Sequence, residues 1–104
     1  MQLPRLKFRP NFAKFNRKQK KVTFQISAPD AKEIYLVGDF NEWGKKTLPL
    51  KRKTDGIWDA TVKLCSGSYE YKYIVDGEWK TDPNNLKQIS NELGSTNSVM
   101  NITV

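Results

Sequence analysis

Two tryptophans follow turns in otherwise polar surroundings, and their flat rings are the side chains of this sequence best suited to ligand contact. Trp43 ends residues 37–43 (VGDFNEW), and Trp79 ends residues 74–79 (IVDGEW). A large indole at a polar turn is stabilised only when its face meets another surface. Two such rings on one surface would form a hydrophobic platform, and we therefore look for a ligand with a flat apolar face.

A pyranose ring meets this requirement, because it has an apolar face of C–H groups and a rim of hydroxyls. Its site needs aromatic planes for the faces, and amides, hydroxyls or ammonium groups for the rim. Lys72 alternates with Tyr71 and Tyr73 on one strand and leads toward the turn before Trp79. We expect its side chain to point outward near that ring, although a lone exposed lysine is usually just solvated.

Catalytic chemistry finds little support in the residue types. The chain has no histidine and a single cysteine, Cys65, so it lacks a thiol–imidazole pair and a disulfide. Asp39, Asp76 and Asp82 lie near turns, where aspartate usually bonds its own backbone. No phosphate loop or metal-ligand spacing occurs. We predict a protein that is not an enzyme and that uses no metal or cofactor.

Strands with short turns are the elements that must position these side chains. Period-two alternation predicts strands from residue 22, from Trp58 to Leu64 and from Tyr69 to Val75, with Trp58 in the core. A strand that is apolar on both faces is expected over 33–37, and a last strand over 99–104. Short extended pieces are expected at residues 48–51, at a sheet edge because of Pro49, and at Trp79. Residues 81–97 are predicted to form a long loop. About seven short strands predict an all-β, immunoglobulin-like sandwich.

The net charge of +7 is confined to one end of the 104 residues. Residues 1–21 hold eight basic residues and no acid, whereas residues 22–104 hold ten basic and eleven acidic residues. We therefore predict a basic N-terminal arm (1–21) and one nearly neutral domain (22–104), whose ligand need not be an anion. The arm is expected to be a loosely attached lead-in, and the alternatives are docking to a protein, binding to nucleic acid or an anionic surface, and a transit sequence.

Location follows from what the chain lacks. No apolar run is long enough for a membrane span or a signal peptide, and the single cysteine fits a reducing compartment. We expect a cytoplasmic protein with no membrane partner, and nucleic acid is an improbable partner for the nearly neutral domain.

Residues 21–104 resemble carbohydrate-binding module family 48, an early-set β-sandwich found at the N-termini of isoamylases and branching enzymes. The most similar subgroup is the glycogen-binding domain of the β subunit of AMP-activated protein kinase. The resemblance rests on segments that occur in the family's order: VGDFNEW (37–43), YKYIVDGEW (71–79), DP (82–83) and LGSTN (93–97).

The resemblance implies non-catalytic binding of α-1,4-linked glucan such as glycogen, starch or a maltooligosaccharide. By resemblance, Trp43 and Trp79 would stack on successive glucose units, Lys72 and Asn97 would hydrogen-bond hydroxyls, and Leu93 would reach into the curve of the glucan. Ser95 stands where the subgroup often has threonine. Some members of the family keep the sandwich only to pack against a catalytic domain. The alternative function is therefore a regulatory module that docks a glucan-metabolising enzyme or a kinase.

Overall fold

The computed structural model describes residues 18–104, and the predicted arm lies outside it except for residues 18–21. Eight strands form two antiparallel sheets, and the two 3-10 turns between them are the only helical segments of the described residues. The all-β sandwich prediction is confirmed, with one strand more than expected. The strands are β1 (Lys20–Ser27), β2 (Ile34–Gly38), β3 (Lys51–Arg52), β4 (Ile57–Leu64), β5 (Gly67–Val75), β6 (Glu78–Lys80), β7 (Gln88–Ser90) and β8 (Thr96–Ile102).

The smaller sheet has the order β1-β4-β3, and the larger sheet has the order β2-β5-β8-β7. β1 begins at Lys20, so the last two residues of the predicted arm pair with β4. The extended piece around Pro49 lies at a sheet edge, as predicted. There it pairs with β2 through the bridge between Tyr35 and Pro49, and the chain then continues into β3 of the other sheet.

The core lies between the sheets and is rich in aromatic rings. Phe24 of β1 packs edge-on against Tyr71 of β5 with ring centroids 5.0 Å apart, and Tyr71 packs in the same way against Tyr73. These edge-to-face contacts stabilise the fold beyond simple burial of apolar area. Trp58 is buried, as its strand phase predicted. The remaining core side chains include Ile26, Ala31, Ile34, Leu36, Leu50, Leu64 and Ile102.

The long loop predicted over residues 81–97 is wrong in part. Residues 88–90 form β7, which pairs with β8 in the register Ile89↔Asn97, and β8 begins at Thr96 rather than at Val99. A three-residue edge strand with one apolar side chain has no readable period. Its pairing with β8, rather than its own sequence, makes it a strand.

Along one side of β5, two strands lie end to end. β8 pairs with residues 67–71 and β6 with residues 73–75, while β2 takes the opposite side. Lys72 therefore stands between the two ladders. The outward face of β5 at this point carries Glu70 and Lys72, because successive residues of a strand alternate between faces.

Candidate functional site

The segment after β2 is folded around one amide side chain. Asn41 Oδ1 accepts the backbone N–H of Gly38 at 2.9 Å, and its Nδ2 donates to the carbonyls of Leu36 and Gly44 and to Thr47 Oγ1. Satisfying several backbone groups from inside the bend fixes its shape without regular secondary structure. This bend carries Trp43.

Trp43 is held by a carboxylate that also bonds the backbone of the neighbouring strand β5. Asp39 Oδ1 accepts the indole Nε1–H of Trp43 at 3.0 Å, and Oδ2 accepts the backbone N–H of Glu70 at 2.7 Å. Glu42 and Trp43 adopt left-handed backbone conformations, with φ of 54° and 58°. Non-glycine residues in that region cost roughly 1–2 kcal/mol each. The contacts of Asp39 and Asn41 offset this cost and fix the ring.

Trp79 reaches the same surface from the other side of β5. It lies on β6 after the tight turn at residues 76–77, pairs with Ile74, and keeps 44% of its surface exposed. The ammonium of Lys72 lies 6.0 Å from the centre of its ring. Lys72 Nζ also donates to Ser95 Oγ at 2.8 Å, and the side chain is almost fully buried. Lys72 points away from the core toward Trp79, as expected, but it is not the exposed and solvated lysine that was the alternative.

A chain of amides and carboxylate forms the floor. Asn97 donates from Nδ2 to Glu70 Oε1 at 2.9 Å and accepts from Asn91 Nδ2 at 3.1 Å. Asn91 Oδ1 in turn accepts the backbone N–H groups of Leu93 and Ser95. This network sets the hairpin loop between β7 and β8. The loop presents Leu93 with 92% of its surface exposed.

These elements enclose one open cleft of about 900 Å³, and all six residues named from the sequence line it. Trp43 and Trp79 therefore face a common space. The sequence reasoning missed Asp39, Lys45, Glu70, Ser90, Asn91 and Glu92, which also line the cleft.

A signal for two of the missed residues was present in the sequence. Asp39 stands four residues before Trp43, and Glu70 shares the strand face of Lys72. The cleft combines two lysines with three carboxylates. This mixture suits a neutral polar ligand better than a polyanion.

The expectation that the three turn aspartates bond their own backbone is wrong for two of them. Asp39 bonds Trp43 and Glu70, as described. Asp76 Oδ1 accepts the backbone N–H groups of Glu33 and Lys32 at 2.9 and 2.8 Å, from the loop before β2. These two donors lower the pKa of Asp76. Both carboxylates join segments that are distant in sequence.

Asp82 is buried and anchors the chain after β6 to the core. Its Oδ1 accepts the backbone N–H of Asn84, the local bond expected of it, and its Oδ2 accepts the hydroxyl of Tyr71 at 2.6 Å. Burial raises the pKa of the Tyr71 phenol, with a further contribution from the nearby carboxylate. This contact secures the connection that leads from Trp79 to β7.

Residues 18–104 contain neither a candidate metal site nor a membrane-spanning helix. Among these residues, no group of three or more His, Cys, Asp or Glu side chains is arranged to hold a metal ion. No helix in the same range is long and apolar enough to cross a membrane.

An antiparallel β-sandwich whose open cleft has tryptophan walls and an amide floor has the architecture of a small ligand-binding module. Comparison with known proteins gives the particular family. Residues 20–104 match the family described as the glycogen recognition site of AMP-activated protein kinase. The chain belongs to this family of carbohydrate-binding modules, and the resemblance seen in the sequence is confirmed.

The related proteins are varied. The chain is 38% identical over 71 residues to the 5′-AMP-activated protein kinase subunit beta-1 of Sus scrofa. The aligned region covers 68% of this chain and 55% of that relative. The chain is 35% identical over 86 residues to the amyloplastic phosphoglucan phosphatase DSP4 of Castanea sativa, covering 82% and 23%. It is 37% identical over 73 residues to the chloroplastic protein PTST homolog 2 of Arabidopsis thaliana, covering 70% and 13%. Across these three relatives, the aligned region spans from about an eighth to about half of the relative's length.

Proposed function

We propose that this domain binds α-1,4-linked glucan without catalysis, by stacking successive glucose units on Trp43 and Trp79. The observation that carries the proposal is that both indoles line one open cleft. The two rings are held differently, Trp43 by Asp39 and Trp79 by its strand, so the platform is built before the ligand arrives. Preorganised aromatic surfaces bind with little loss of conformational entropy.

The polar residues between the rings would read the hydroxyl rim. Lys72 has three N–H donors, of which the contact with Ser95 occupies one, so it can donate to sugar oxygens. Asn97 is already tied to Glu70 and Asn91, which fixes the direction of its amide. Leu93, on its set loop, would fill the concave side of a curved α-glucan. Ser95 would supply a hydroxyl.

Tryptophan fluorescence during titration with maltoheptaose tests the proposal directly. We expect a saturable change in emission, because a sugar stacked on Trp43 or Trp79 alters the surroundings of its indole. Cellohexaose, a straight β-1,4-linked glucan, is the matched control and should give a much weaker response. Affinity electrophoresis in glycogen should show retardation of the native protein. Unchanged emission with maltoheptaose and normal mobility in glycogen would together refute the proposal.

A second candidate function is docking of a protein partner, such as a glucan-metabolising enzyme or a kinase. Leu86, which precedes the edge strand β7, is 94% exposed, and Ile89, which lies within β7, is 47% exposed. Exposed apolar side chains at a sheet edge favour association with another protein. Some relatives are named as subunits of a kinase. The basic arm is a second docking element, although most of it lies outside the described residues.

The two functions can be separated by deleting residues 1–17, which leaves β1 intact. The full chain and the truncated chain are compared in two assays. Pull-downs with a glucan-metabolising enzyme or a kinase measure docking, and affinity electrophoresis in glycogen measures glucan binding. Loss of the partner with unchanged glycogen retardation would assign docking to the arm and glucan binding to the cleft. The cytoplasmic location stays a prediction, since two relatives carry plastid names.

A further inference from the structure

A second groove opens where the strand order leaves a gap. β6 ends at Lys80 and β8 begins at Thr96, and both lie along the same side of β5 without meeting. The groove occupies about 680 Å³ between them and runs toward the end of β1. It shares Lys72, Trp79 and Ser95 with the cleft. The two depressions therefore meet at Trp79.

The lining of the groove includes polar side chains whose hydroxyls are not used in hydrogen bonds within the described residues. The hydroxyls of Ser27, Thr81 and Thr96 line it, and none of them makes a hydrogen bond to another described residue. Lys80 and Lys72 are the only charged residues in its lining. Hydroxyls and ammonium groups are the donors and acceptors that a polyhydroxylated chain requires.

Apolar side chains complete the walls. Ala28, Val75 and Pro83 lie along the groove, so it offers C–H surface beside its hydroxyls. A sugar chain has the same mixed character, with apolar ring faces and a polar rim. A groove that begins at one stacking ring and carries this lining suits the next units of the chain held on that ring.

We infer that glucan leaving Trp79 continues into this groove between β6 and β8. Resting on the proposed function of the cleft, this inference makes the domain a reader of longer glucan chains. The cleft would hold the units on Trp43 and Trp79, and Ser27, Thr81 and Thr96 would hydrogen-bond the units beyond. Affinity should then keep rising with chain length after the cleft itself is filled.

A series of maltooligosaccharides from three to ten glucose units tests this inference on the full chain, with affinity measured by calorimetry. The native protein should show affinity that increases across the whole series. The Ser27→Ala/Thr81→Val variant should bind the short members unchanged and lose roughly three- to thirtyfold for the longest ones. The matched control is Ser68→Ala/Thr103→Val, whose exposed residues line neither depression and which should behave as the native protein.

The outcomes are distinct. Amide signals of Ser27, Ala28 and Thr81 in NMR spectra should shift with the longest chain and stay fixed with the shortest. A native affinity that stops rising once the cleft is filled would overturn the groove while leaving the cleft intact. Equal losses for short and long chains in the Ser27/Thr81 variant would also overturn it. No binding at any length would refute the proposed function itself.

Discussion

Tryptophan occurs in two different settings in this domain. Trp58 is buried in the core, whereas Trp43 and Trp79 line an open cleft. Trp58 Nε1 donates to the carbonyl of Ala28 at 2.9 Å, and Arg52 lies 5.0 Å over its ring. Trp43 likewise donates its indole N–H. Trp79 likewise has a cation near its ring. Polar partners and cations therefore do not distinguish the core tryptophan from those of the cleft.

What distinguishes them is the cover over the ring. Trp58 is 6% exposed because the sheets close around it, whereas Trp79 keeps 44% of its surface free. The apolar area of a buried ring already stabilises the fold, whereas the area of an exposed ring is still available for contact with a ligand. Removing Trp58 should therefore affect stability first, and removing Trp79 should affect binding first.

The largest effect is expected for Trp58→Ala. The change leaves a cavity and removes one of the two hydrogen bonds to the Ala28 carbonyl, and should lower the free energy of unfolding by about 3–5 kcal/mol. Urea denaturation followed by circular dichroism measures the loss. Trp79→Ala is the control and should unfold close to the native midpoint. Similar losses of unfolding free energy in both variants would contradict the different roles assigned to the core and cleft tryptophans.

Removing a cleft ring should weaken glucan binding by the next largest amount. We expect Trp43→Ala and Trp79→Ala each to lose about 1–3 kcal/mol of binding free energy, by analogy with bases stacked on aromatic side chains. Affinity electrophoresis in glycogen and calorimetry with maltoheptaose measure this loss. Trp79→Phe keeps a flat ring and should retain part of the affinity. Native affinity in both alanine variants would contradict stacking.

A smaller effect is expected at Asp39, which positions Trp43. Asp39→Ala removes the bonds to the Trp43 indole and to the Glu70 backbone, and should weaken glucan binding by about 1 kcal/mol. If Asp39 acts through the ring, the same change in a Trp43→Ala background should cost no further affinity. Full additivity of the two losses, measured by calorimetry, would show instead that Asp39 acts independently of the Trp43 ring, either on the ligand or through Glu70.

The smallest effect is expected at Asp76, which acts on stability through pH. Its pKa is lowered in the folded state by the backbone N–H groups of Glu33 and Lys32. The stabilising contribution is therefore complete above the unfolded value of about 3.9 and is lost as the pH falls through the lower folded value. Asp76→Asn should be slightly less stable than the native protein at pH 7, and the difference should vanish in acid. Thermal unfolding from pH 7 to pH 2 measures it, and a difference that persists at pH 2 would contradict this origin.

Much of the fold and of the site could be predicted from local pattern. Period-two alternation identified the long strands and the burial of Trp58, because one face of each strand must be apolar. The family segments identified all six predicted residues that line the cleft. β7 escaped prediction because its pairing with β8 comes from outside its own sequence. Asp39 was misassigned for a similar reason, since its partner Glu70 is 31 positions away.

The amino-acid pattern alone specifies the class of the fold, the tryptophan that enters the core and the residue types available for sugar contact. These properties depend on periodicity and on side-chain chemistry, which are local. Three features depend on the three-dimensional fold: Trp43 and Trp79 share one cleft, Asp39 fixes the first ring, and β6 and β8 leave a groove beside the second. Those outcomes depend on strand register and on which strand occupies each side of β5, and register is set by contacts between segments distant in the chain.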